Sequence, residues 1–250
     1  PARYTTGMNR ILLALCVMLG AQLLAAQANP DTDRAAEEQD QARAFSAAIV
    51  RNLDEAKALP ADTTAVYSLS KLDDAVLAEL KKRAGLKAVY FSQWVSAEAW
   101  VTDTSLDLLA GFPGLETIQL QSQSKITPAG LGKLAKLKTL KRLALVMCNP
   151  MDATALGPFK KHPALSELAI SSQIGPPLME ALSAIPELKR LDLNGTADRV
   201  ENPLKGLEKC KKLEHFGIGG ATLATLAMDT LSKVKLLKSL HVADRGVPEW

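Results

Sequence analysis

Seven times from residue 86 onward the chain writes one apolar spacing, L-x-x-L-x-L. The copies are Leu86/Val89/Phe91, Leu115/Ile118/Leu120, Leu140/Leu143/Leu145, Leu165/Leu168/Ile170, Leu188/Leu191/Leu193, Leu213/Phe216/Ile218 and Leu237/Leu240/Val242. They follow at intervals of 29, 25, 25, 23, 25 and 24 residues. Alternation at the fourth and sixth places is the period of a strand with one buried face. A second apolar set precedes each copy. Nine residues before the first Leu stand Leu77, Leu106, Leu131, Leu156, Met179, Leu204 and Met228. Six before it stand Leu80, Leu109, Leu134, Phe159, Leu182, Leu207 and Leu231. Three before it stand Phe112, Leu137, Ile185, Cys210 and Val234, with Arg83 and His162 as exceptions. Steps of three keep these side chains on one helical face. Each unit is therefore predicted to be a short strand followed by a helix. Neither covers its apolar side alone, so the units must stack.

The fullest unit is LETIQLQSQSKITPAGLGKLAKL, residues 115–137. Its I-T-x-x-G-L-x-x-L resembles the leucine-rich repeat subtype found in F-box substrate adaptors and many bacterial envelope proteins. The resemblance covers residues 62–250. It implies an α/β solenoid with a curved parallel sheet on the concave side and helices on the convex side. Residues 61–250 would hold seven to eight units. The family usually places Asn or Cys eight residues after the first Leu, where it bonds the turn. Here that place holds Trp94, Gln123, Cys148, Gln173, Thr196, Ala221 and Arg245, so looser turns are expected. Cys148 occupies a turn site and Cys210 a helix end in another unit. A disulfide needs Cα atoms within about 7 Å, so two free, buried thiols are expected.

The repeat pattern is absent from the first 60 residues. Met8-Asn9-Arg10, the uncharged apolar run 11–25 and Ala26-Gln27-Ala28 read as an export signal cleaved after Ala28, from a start at Met8. That expectation makes residues 1–28 a leader and the chain secreted or periplasmic. An uncleaved membrane anchor is the alternative. In residues 29–60, Asn29-Pro30-Asp31 opens a predicted helix, Ala42, Phe45, Ile49 and Leu53 make its apolar stripe, and Pro60 ends it. It is expected to cap the first repeat; a partner-binding helix is the alternative. Val66–Leu69 is expected as the strand of a degenerate unit. Val247 and Trp250 are candidates to fold back over the last unit.

Hydrophobic residues are 47% and aromatics 4%, so the core must be aliphatic. Formal charge is +3, and removing residues 1–28 takes away Arg3 and Arg10 and no acid. Such a near-neutral chain lacks the basic stripe that nucleic acid demands. No G-x-S-x-G, H-E-x-x-H, C-x-x-C or Walker pattern occurs. No enzyme, cofactor or metal site is expected, and the expected partner is another protein.

The third, fifth and seventh places of each strand should face outward on the concave sheet. They present Tyr90, Gln119, Gln121, Arg142, Glu167, Arg190, Asp192, Asn194, His215 and His241 as candidate partner contacts. Arg142, Glu167 and Arg190 should line up as plus, minus, plus. They either pair with each other or grip a carboxylate or sulfate on a partner. GIGG (217–220) should leave a shallow trough with bare backbone at its floor, ringed by Asp192, Asn194, His215, His241 and Asp244. His215 and His241 fall on adjacent strands but at offset levels, which disfavours a shared metal ion. The resulting expectation is a non-catalytic exported module that binds a protein by its concave face. The alternatives are an intracellular F-box-like adaptor and a cell-wall polysaccharide binder, for which Tyr90 and Trp94 are the stacking candidates.

Overall fold

A computed structural model describes residues 30–92, 99–148, 152–196, 202–219 and 228–243. The leader, Trp94, the 244–250 tail and Gly220 lie outside these residues. Nine strands form one sheet in chain order: β1 (Ala48–Ile49), β2 (Ala65–Ser68), β3 (Ala88–Phe91), β4 (Thr117–Gln121), β5 (Arg142–Val146), β6 (Glu167–Ser171), β7 (Arg190–Asn194), β8 (His215–Gly219) and β9 (Ser239–Ala243). Every pairing from β1 to β9 is parallel. A parallel neighbour requires a crossover. Here short helices such as Asp74–Lys81, Asp103–Ala110, Pro128–Leu134 and Pro176–Ser183 fall between successive strands.

The inward strand residues pack side by side. Ile118, Leu143, Leu168, Leu191 and Phe216 occupy successive rungs of the register and are each at most 1% exposed. Behind them Leu80, Leu109, Leu134, Phe159, Leu182 and Leu207 are fully buried. Both sets belong to one continuous core. Backbone bonding reinforces the stack at the start of each strand. The carbonyls of Lys87, Glu116, Lys141, Ser166, Lys189 and Glu214 each accept two amides from the next unit. On β9 the inward residues Leu240 and Val242 are 40% and 48% exposed.

Residues of the I-T-x-x-G-L stretch have separate tasks. Thr127 accepts the Gly130 amide at the N-terminus of helix Pro128–Leu134, and Pro128 fits the first helical position. Asp103 of the preceding unit accepts from the Thr127 amide and hydroxyl. A Cβ at position 130 would collide with that carboxylate, so glycine permits the approach.

The turn sites are tighter than their composition suggests at two positions. Gln123 is fully buried, accepts the Trp100 and Val101 amides, and donates to the Gln121 carbonyl. Its longer side chain still reaches the backbone an asparagine would bond. Cys148 donates its thiol to the Leu120 carbonyl at 3.4 Å. Cys148 and Cys210 are free and buried, and burial pushes both thiols up to about 12. Buried His162 takes the place of a spine leucine. Its Nδ1 accepts the Ala164 and Leu165 amides, and its Nε2 bonds the Leu137 carbonyl of the previous unit.

The N-terminal segment departs from the expectation of one capping helix across 29–60. The helix runs Pro30–Ala44, a left-handed residue at Ser46 turns the chain, β1 joins the sheet, and a second helix covers Leu53–Ala58. Asn52 caps that second helix by accepting the Glu55 amide. The predicted stripe is thereby split between two faces. Val50 and Ala56 join the main core at the first unit. Ala42 packs instead with Tyr67 and Tyr90, whose strand neighbours Val66 and Val89 point into the main core. The Pro30–Ala44 helix therefore lies against the helix-free face of β2 and β3. Buried Glu38 fixes it there, accepting from the Leu69 amide and from Arg51 Nε.

Ser122 and Met147 follow their strands in successive units with φ of 57° and 50°, and Gly195 holds the corresponding place with φ 150°. A Cβ at Gly195 would strike the Ser172 carbonyl oxygen. Met147→Gly is expected to raise the unfolding free energy by up to about 1 kcal/mol, and Gly195→Ala to lower it by more. Chemical denaturation of the two variants checks both signs.

Candidate functional site

The outward places of the strands form three rows. The first contains Thr117, Arg142, Glu167, Arg190, His215 and Ser239; the second contains Tyr90, Gln119, Ala144, Ala169, Asp192, Gly217 and His241. The third includes Gln121 opposite Val146, and Asn194 between Ser171 and Gly219. Strand spacing brings adjacent members to about 4.8 Å.

The ten candidate residues do not share one environment. Tyr90 is 7% exposed, because Phe45 stacks on its ring at a centroid distance of 4.0 Å and 8° between planes. Phe45 also lies 5.9 Å from Tyr67. Tyr90 is therefore covered, contrary to its expected role as an exposed contact. Gln119 and Gln121 are also buried, at 2% and 1%. Arg142, Glu167, Arg190, Asp192, Asn194, His215 and His241 keep partial access. Their strands, β5 to β9, carry the accessible part of the face.

The charged row is organised around Glu167. Arg142 Nε and Nη2 donate to its two carboxylate oxygens at 2.8 and 2.9 Å, a fork-to-fork pair. Arg190 Nε stands 4.0 Å from Glu167 Oε2, outside hydrogen-bond distance. The pairing alternative thus holds for Arg142 and only loosely for Arg190. Beside them Ala144, Val146 and Ala169 make a small apolar cluster separate from the main core. Arg142, Ala144, Glu167, Ala169, Arg190 and Asp192 border a shallow, open depression.

The glycine trough is not bare. Gly217 lies opposite Asp192 in the register, and a Cβ there would collide with the Asp192 carboxylate. Glycine makes room for that side chain. Burial pushes the Asp192 carboxyl from its ordinary 3.8 up to about 6, with Arg190 pulling it down and Glu167 adding to the rise. His215 Nδ1 is hydrogen-bonded to Ser239 Oγ at 2.7 Å, and burial together with the Arg190 charge holds it below the usual histidine range. Burial pushes His241 down to about 4. Both imidazoles are therefore neutral at neutral pH. Among the described residues no three His, Cys, Asp or Glu side chains converge as metal ligands.

Sequence reasoning missed Phe45 and Glu38 as parts of this face. The only local signal was an aromatic residue following a strongly polar helix.

No protein-family model matches the chain, and no curated protein matches it. Solved structures do. Internalin C2 from Listeria monocytogenes is 16% identical with a TM-score of 0.50, covering 77% of this chain and 76% of that one. Internalin InlF from the same organism is 13% identical with a TM-score of 0.43, covering 77% and 64%. A TLR13 complex with the RNA ssRNA13 is 17% identical with a TM-score of 0.32, covering 81% and 38%. The repeat motif, the all-parallel sheet and the match to internalin C2 define the architecture as a leucine-rich repeat solenoid.

Because the folded state holds the Asp192 proton more tightly than the unfolded chain, its stabilising effect is complete below the ordinary carboxyl pKa. It is lost as pH rises through about 6. Asp192→Asn is expected to raise the unfolding free energy at about pH 7.5 by on the order of 2 kcal/mol, with the gain vanishing below about pH 3.5. Urea titrations across that range check both limits.

Proposed function

We propose that this chain is an exported, non-catalytic repeat module that binds another protein through the outward face of β5 to β8. The observation that carries the reading is the half-compensated charged row beside a floor of small residues. Two arginines share one fully engaged carboxylate and stay partly exposed above the buried Ala144 and Ala169. Repeat solenoids use extended concave sheets as binding surfaces. Export rests on the leader pattern at residues 8–28 and belongs to this proposal.

For the polysaccharide alternative, Phe45 occupies the ring of Tyr90, one of its two stacking candidates, and the other, Trp94, lies outside the described residues. Among the described residues the Pro30–Ala44 helix packs on the sheet, held by Glu38, and so does not itself supply the helical module that an F-box-like adaptor places before its repeats.

Ala169 is 8% exposed and packs outside the main core, so Ala169→Arg would push a long charged side chain up into the depression, and circular dichroism checks that the variant is folded. Crosslinked capture from the native envelope fraction is expected to lose its specific product with Ala169→Arg and retain it with Lys136→Glu, an exposed control. Retention of the same product in Ala169→Arg would remove this face from the account.

A further inference from the structure

Arg190 is the least satisfied cation of the face. Among the described residues its guanidinium makes no hydrogen bond, and its one ion-pair approach is the 4.0 Å contact with Glu167. Five N–H donors in a fixed fork are therefore left to solvent, on a side chain 26% exposed. The neighbours do not satisfy it. Both Glu167 oxygens are engaged by Arg142. His215 turns to Ser239. Asp192, two residues along the same strand face, reaches toward Gly217.

We propose that Arg190 anchors a single carboxylate from an acidic segment of the partner protein, with Glu167 acting as the built-in competitor for that arginine. This rests on the outward-face reading above. The depression that Arg190 borders is shallow, and Ala144 and Ala169 at its floor are only 2% and 8% exposed, so binding rests on the arginine fork rather than on apolar contact. Glu167 and Asp192 also border it. Their charge opposes a dianion such as phosphate more than it opposes a monoanion. A carboxylate meets the arginine fork with two parallel bonds, which a backbone carbonyl cannot do.

The competition gives opposite signs for neighbouring substitutions. Removing the Glu167 charge frees both arginines, so Glu167→Gln strengthens anion binding. Removing Arg142 releases Glu167 to pair with Arg190, so Arg142→Gln weakens it although Arg190 is intact. A general loss of structure would not produce this pattern.

The probes are acetyl-(Glu)4-amide, acetyl-(Gln)4-amide and inorganic phosphate, titrated into the whole chain near neutral pH and low salt and followed by NMR of the arginine Nε–H signals. The Glu peptide is expected to shift the Arg190 signal and the Gln peptide to leave it unmoved. Glu167→Gln should tighten Glu-peptide binding by about threefold or more, and Arg190→Gln should weaken it by about tenfold. Circular dichroism confirms that each variant is folded. Unchanged or weaker binding in Glu167→Gln would overturn the proposal. So would undiminished binding in Arg190→Gln, or phosphate that displaces the Glu peptide at equal concentration. If the captured partner is lost with Ala169→Arg but kept with Arg190→Gln, this anchor fails while the outward-face reading stands. If it is kept with both, the outward-face reading fails first.

Discussion

An inward-pointing strand leucine in this chain has no complete shelter inside its own repeat. Leu168 reaches near-zero exposure because Leu143 and Leu191 flank it on the neighbouring strands and helix residues such as Leu182 close the other side. Full burial of such a side chain contributes roughly 1.5–3 kcal/mol, and the neighbouring units supply part of it. Lateral contact between equivalent residues is therefore the source of both stability and shape. The running ladder from Lys87 to Glu214, where each carbonyl takes two amides from the next unit, keeps successive strands in step. On β9, the last of the described strands, Leu240 and Val242 stand partly exposed.

Fixed register turns sequence spacing into surface chemistry. Once Leu143, Leu168 and Leu191 share a level, Arg142, Glu167 and Arg190 must share one on the opposite face. The same constraint sets Asp192 opposite Gly217 and Tyr90 opposite Tyr67. What differs along the face is the cover. At the N-terminal end a polar helix, pinned by buried Glu38 and the Phe45–Tyr90 stack, removes the aromatic residues from solvent. Farther along the sheet the partly paired charges keep partial access, while Ala144 and Ala169 beneath them are buried.

The spine and the outward rows were legible in the sequence because both depend only on a strand's two-residue alternation and a steady repeat length. Arg142 and Arg190 fell into one row by counting alone. The N-terminal segment was not legible in the same way. Ala42, Phe45, Ile49 and Leu53 fit a helical stripe, yet the chain breaks at Ser46 and sends Ala42 and Leu53 to opposite faces of the sheet. Helical spacing cannot reveal which of two sheet faces will receive a side chain. Tyr90 and Asp192 show a second limit. Register placed both, but the ring above Tyr90 comes from a distant, non-repeating segment. The space at Gly217 is taken by a side chain on the next strand.

The central claim is that equivalent residues of adjacent repeats stabilise one another directly. A double-mutant cycle on Leu168→Ala and Leu191→Ala, measured by chemical denaturation, tests it against a second cycle on Ile118→Ala and Phe216→Ala, four strands apart. The account predicts a coupling of about 0.5–3 kcal/mol for the adjacent pair and additivity within about 0.5 kcal/mol for the distant one. Additive losses at Leu168 and Leu191 would contradict it.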